Sequence, residues 1–182
     1  GLDAEERLFW AVIISAVVSL SIVLALAVAH RYSFERLLVA NLGVALAAAA
    51  AGRFRLRLGP KARQPGLGAL LPLALIVLGL WRFFPPSEYI IGGKDPGTYI
   101  NEGIQIAQRG ATVVRDPIVS SVPPFARDLF FPSYQRPDYY SLRFMGFLIK
   151  NPDTGEVVGQ FPHVFPASIA IGYGLDGLSG AR

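Results

Sequence analysis

From Leu8 to Ala29 the chain reads LFWAVIISAVVSLSIVLALAVA, without one charged side chain. A helix needs roughly 20 apolar residues to cross the hydrocarbon core of a bilayer. In lipid, only a helix or a closed barrel satisfies its own backbone hydrogen bonds. The run therefore predicts a membrane-spanning helix over about 8–29. A cleaved signal peptide is the competing reading, because Ala27-Val28-Ala29 resembles a cleavage site. The preceding GLDAEER is acidic and the apolar run is long, and both favour a retained span.

Two further runs fit the same material. Residues 37–51, LLVANLGVALAAAAA, form a short, alanine-rich candidate that needs support from neighbouring helices. Residues 67–84, LGALLPLALIVLGLWRFF, form the third. Pro72 is tolerated there if adjacent helices satisfy the freed carbonyl. Trp81, Phe83 and Phe84 would sit at the interface, with Arg82 reaching up to it. Composition agrees: 52% of the residues are hydrophobic and 16% charged, where a soluble domain carries about 25% charged residues. The absence of cysteine excludes disulfides and thiolate metal sites.

The net charge of +4 would suggest nucleic acid if it were spread over a face. Instead Arg53, Arg55, Arg57, Lys61 and Arg63 crowd one short connector, 52–66, which holds no acid. Basic residues in short loops stay on the cytoplasmic side. That rule predicts a cytoplasmic connector, a cytoplasmic N-terminus, an outward-facing HRYSFER turn and a third span that exits outward. No nucleic-acid partner is expected.

Residues 85–162 are of another kind, with balanced charge and frequent proline, and are expected outside the cytoplasm. In GGKDPGTYINEGIQIAQRG, Asp95 can cap a helix, Pro96 suits its first position, and Gly110 supplies a left-handed stop. Tyr99, Ile100, Gly103, Ile104 and Ala107 would share its apolar face. Ile106 breaks that pattern, and Glu102, like Glu88, reads as a surface acid. Such a helix directly after a span is expected to lie along the membrane surface. The stretch from Ala111 to Tyr140 reads as irregular. Leu142–Ile149 and Glu156–Phe161 read as the arms of a β-hairpin about a KNPDTG turn. Residues 163–182 read as the start of a further membrane helix from Pro166 to about Leu178, cut within a longer protein. The predicted fold is an α-helical polytopic membrane protein with an extracytoplasmic α+β loop domain, built on a juxtamembrane amphipathic helix and a β-hairpin.

Asp95 is the leading chemical candidate. A cap explains it fully, yet a carboxylate on a helix N-terminus beside the membrane, after the Gly92-Gly93 turn, also meets headgroups. A carboxylate there can accept a proton or hold a cation. Lys94 and Arg109 could neutralise a phosphate, though such side chains are usually just solvated, and His163 is a candidate near the return to apolar sequence. GGKDPG lacks the spacing of a phosphate loop.

With GGKDPGTYINEGIQIAQRG following a span, and FPHVFPASIAIGYGLDGLSGAR following the loop, residues 88–182 resemble the start of the GT-C membrane glycosyltransferases. These include the dolichyl-phosphate-mannose protein mannosyltransferases and the bacterial aminoarabinose transferase. Asp95 and Tyr99 match the family's acidic juxtamembrane helix; Pro166 and Gly177–Arg182 match its next span approximately. The resemblance implies a multi-pass cell-membrane enzyme moving a sugar from a polyprenyl-phosphate carrier to a glycan, lipid or protein acceptor on the outer face, with inversion. Asp95 would be the general base, and Lys94, Tyr99, Arg109 and His163 would be candidates for binding the donor phosphate or substrate. Some members use a divalent cation, but this segment clusters too few ligands to argue for one, and no metal-binding residue is assigned. The 182 residues alone are expected to be inactive, because the family's carrier-lipid cavity needs many more spans. The alternative is a non-enzymatic membrane protein whose outer domain binds a partner or a cell-wall glycan.

Overall fold

In the computed structural model the described residues are 4–52, 70–84, 94–132, 137–144 and 146–182. Most of the basic connector and the Gly92-Gly93 turn lie outside them, as do residues 67–69 of the third apolar run.

The N-terminal part is an apolar helical hairpin. Helix α1 spans Ala4–Val28 and α2 spans Phe34–Ala51. The turn between them ends at Ser33, whose extended backbone and side chain cap α2 by accepting from the Arg36 amide at 3.3 Å. Ser19 Oγ donates to Asn41 Oδ1 across the pair at 3.1 Å. Both helices are long and apolar enough to cross a membrane. Most of their apolar side chains are uncovered, Leu8 and Val39 among the most exposed. The described part of helix α3, Leu70–Phe83, has 14 residues, about 21 Å of helix axis.

The remainder is a small α+β unit. Helix α4 covers Lys94–Arg109. Strands β1 (Val113–Arg115), β2 (Ser141–Phe144), β3 (Phe147–Asn151) and β4 (Glu156–Gly159) form an antiparallel sheet in the order β1-β4-β3-β2. Short helices α5 (Pro117–Ser121) and α6 (Arg127–Phe130) follow β1, and α7 (Val164–Ala181), broken by non-helical backbone at Asp176 and Gly177, closes the chain.

The hairpin expected about KNPDTG is the β3–β4 pair, with Leu148 opposite Val158. Asn151 Oδ1 accepts from the amides of Asp153 and Thr154, and Gly155 takes a left-handed φ of 73°, so the turn is held by its own polar groups. The first predicted arm, however, is two strands. Gly146, at φ 90°, reverses the chain so that Phe144 pairs with Phe147. The stretch expected to be irregular also supplies β1, which pairs with β4, and the two short helices. Three residues of strand are too few for a recognisable alternation.

Two apolar cores hold the unit together. Val119, Phe131, Phe147, Ile149 and Val157 fill the space between the sheet and the short helices. The other core joins the ends of the apolar hairpin to the α+β unit: Val23, Ala27, Tyr32 and Leu37 meet Ile106, Ala167 and Ala170. Tyr32 is the joint. Its amide donates to the Gly110 carbonyl at 3.1 Å, and its hydroxyl donates to the Ala170 carbonyl at 3.3 Å. The α1–α2 turn and the end of α4 therefore lie together.

Gly110 fulfils its expected role as the helix stop, with φ 69°. It has a second reason to be glycine, because a Cβ there would lie 2.7 Å from the Tyr32 carbonyl oxygen. Gly110→Ala is expected to cost about 2 kcal/mol or more, from the left-handed backbone plus that overlap. Thermal unfolding of the full-length protein in detergent measures it, and an unchanged midpoint would refute the contact.

Candidate functional site

Helix α4 owes its position to its pattern of four. Thr98, Glu102, Ile106 and Gly110 follow one another a turn apart, and all four are buried. On this side of the helix Gly103 and Ile106 pack against α7, Thr98 against Gly146, Glu102 against Gly159, and Gly110 against Tyr32. The buried face keeps Gly103 and Ala107 of the expected apolar set but is centred elsewhere. Ile106 is at its centre, fully buried, while Ile100 and Ile104 are only half-buried. The polar flank is also engaged: Gln105 donates to the Thr112 carbonyl at 3.0 Å and Gln108 to the Tyr173 hydroxyl at 2.9 Å. The helix is packed against protein on its buried face.

The larger correction concerns Glu102. It was expected at the surface and is 0% exposed. Its Oε1 is hydrogen-bonded to His163 Nδ1, from the residue that immediately precedes α7. Its Oε2 has no partner among the described residues and faces Gly159 of β4, where a Cβ would overlap the carboxylate. The glycine makes room for the buried acid. Burying a carboxylate is costly unless it is paired, and the half-buried imidazole supplies the pairing. The hydrogen bond from Glu102, with a smaller contribution from its charge, raises the His163 pKa above the usual 6.5, although desolvation opposes it.

A raised folded value means that the stability from His163 is fully present below about pH 6.5 and is lost as the pH rises through the folded value. Full-length protein is expected to show a thermal midpoint that falls over that range, and Glu102→Gln should flatten the fall. Identical pH profiles for wild type and Glu102→Gln would exclude the linkage.

Around this pair lies an aromatic cluster. The Tyr99 ring is 5.2 Å from Phe161 and 5.3 Å from Phe165, centre to centre. Asp95 lies one turn before Tyr99, exposed in the first turn of α4. The helix begins at Lys94, so Asp95 is inside the first turn and not the cap. Asp95, Tyr99 and Glu102 follow the i, i+4, i+7 spacing that places residues along one side of a helix. The Lys94 side chain is not among those described.

Arg109 does not belong to this group. It is 14 positions from Asp95 along α4, about 21 Å of helix axis. One phosphate cannot reach both. Arg109 instead lines two shallow cavities of about 310 and 320 Å³, together with Arg115. The described residues contain no group of three or more acids and histidines placed to hold a metal ion.

The structure brings Glu102 to His163 and Tyr99 to Phe161 and Phe165, leaves Asp95 on the Tyr99 side of α4 by helical spacing alone, and sets Arg109 at the other end of the helix. The sequence signal for Glu102 was its place in the four-residue series between Thr98 and Ile106. No protein family, curated protein or solved structure matches this chain.

Proposed function

We propose that the chain is the N-terminal part of a multi-pass membrane glycosyltransferase acting on the outer face of the cell membrane. It would transfer a sugar from a polyprenyl-phosphate carrier to an acceptor hydroxyl. The reading rests on the resemblance of residues 88–182 to the GT-C enzymes. Its main structural support is the Tyr32–Gly110 hydrogen bond, which ties the far end of α4 to the turn of a helical hairpin apolar enough to span a bilayer. With that hairpin in the membrane, the Gly110 end of α4 would stand at headgroup depth, where a carrier phosphate lies.

In the reaction, the Asp95 carboxylate takes the acceptor hydroxyl proton. The oxygen attacks the anomeric carbon from the face opposite the phosphate. The bond from that carbon to the phosphate oxygen breaks, and polyprenyl phosphate leaves with the electron pair. Configuration at the sugar inverts. Tyr99, Phe161 and Phe165 offer ring faces to the sugar or prenyl chain.

The alternative, a non-enzymatic membrane protein whose outer domain binds a partner, draws on one observation. Phe125, Leu129 and Phe130 stand exposed about α6, with Phe125 at 89%. Apolar surface of that kind marks contact sites. The deciding experiment reconstitutes the full-length protein in proteoliposomes with labelled polyprenyl-phosphate sugars and candidate acceptors. Carrier-dependent transfer with inversion is expected. Failure with every donor, together with retention of a protein or glycan ligand, would favour the binding reading.

A further inference from the structure

Arg109 and Arg115 remain without a role in this chemistry. They lie at the end of α4 and in β1, and both are exposed. Among the described residues neither guanidinium forms a salt bridge, the ion pairs there being Arg127–Asp153, Arg143–Asp116 and His163–Glu102. One cavity beside them is lined by His30, Arg109, Val113, Arg115 and Glu156, among others. The next shares both arginines and reaches Asp116. Asp116 is already held by Arg143 at 2.6 Å, and Glu156 is the cross-strand register partner of Arg115, leaving two arginines and a histidine against one acid.

Position gives this groove its meaning. His30 lies two residues past the end of α1, and Tyr32, two residues further on, is bonded to Gly110, the residue after Arg109. The groove thus opens where the apolar hairpin ends. An arginine fork holds phosphate oxygens in two parallel hydrogen bonds. We propose that this groove binds the phosphate headgroup of an anionic bilayer lipid and seats the outer unit on the membrane surface. The inference rests on the membrane-spanning part of the reading above and not on sugar transfer, so loss of transfer leaves it standing and loss of lipid binding leaves the transferase reading standing.

The test titrates detergent-solubilised full-length protein with phosphatidylglycerol and phosphatidylcholine and follows bound lipid by native mass spectrometry. Wild type is expected to prefer phosphatidylglycerol. Arg109→Gln and Arg115→Gln should each weaken that binding about five-fold, the usual worth of one basic residue at an anionic surface. Arg109→Lys and Arg115→Lys should retain more of it than glutamine, with unfolding midpoints showing that all variants are folded. Lys150→Gln, an exposed cation on β3, is the control and should change nothing. Equal affinity for the two lipids, or an equal loss in Lys150→Gln, would overturn the proposal. So would inorganic phosphate displacing the lipid at matched concentration, since the groove would then be a site for free anions.

Discussion

Asp95→Asn in the full-length protein is expected to lower sugar transfer by about 10²- to 10⁴-fold, the usual contribution of a general base. Asparagine keeps the size and hydrogen-bonding reach of the side chain and removes its ability to take a proton. The side chain is exposed in the first turn of α4, so stability should change by less than about 0.5 kcal/mol. Asp95→Ser sharpens the test, because serine also cannot take the proton and its shorter side chain removes the reach of the carboxylate. Under the transferase reading both variants fold and both fail to transfer. Under the binding reading neither variant loses anything. Normal turnover by Asp95→Asn, measured with saturating donor, would take the residue out of the reaction.

Gly103→Val should be the most damaging single change to the fold. A Cβ at Gly103 would lie 2.5 Å from Cβ and Cγ2 of Ile169 and 2.9 Å from the Pro166 carbonyl oxygen. The Cβ and carbonyl positions are tied to the α7 backbone, so no side-chain rotation relieves the overlap. The helices must separate, which costs about 3 kcal/mol for an overpacked core. Separation would also draw Glu102 from His163 and leave a buried carboxylate unpaired, a further penalty of the same order. The expected result is a large fall in the unfolding midpoint, with exposure of the α4 amides to hydrogen exchange. Ile169→Ala alongside Gly103→Val should recover part of the loss, since it removes Cγ2 and leaves Cβ. A double variant no better than the single one would show that the close approach of α4 and α7 is not the cause.

The pH dependence expected of the Glu102–His163 pair links these two results. The pair ties α4 to the start of α7, and Asp95 and Tyr99 ride on the same helix. Weakening the pair by raising the pH loosens the element that presents Asp95. A loss of transfer at high pH that Glu102→Gln removes would reflect this tie, whereas a loss shared by both proteins would not.

Much of this architecture was already legible along the chain. The uncharged run from Leu8, the glycine at 110 and the Asn-Pro-Asp-Thr-Gly turn each act through their nearest neighbours, and each element stands where its residues demand. Lipid-length apolarity, left-handed backbone and turn hydrogen bonds are local physics. The faces of α4 were not decided locally. Its sequence offers competing sets of apolar positions, and only the arrival of α7 selected the one containing Glu102 and Ile106. A charged residue is placed outside by default because desolvation is costly. Here a histidine 61 positions away, with a glycine on β4 leaving space, offsets that cost. Likewise Asp95 and Arg109 look close in sequence, yet helix rise sets them at opposite ends of α4. Contacts made over such separations arise from packing, and no short window of residues contains them.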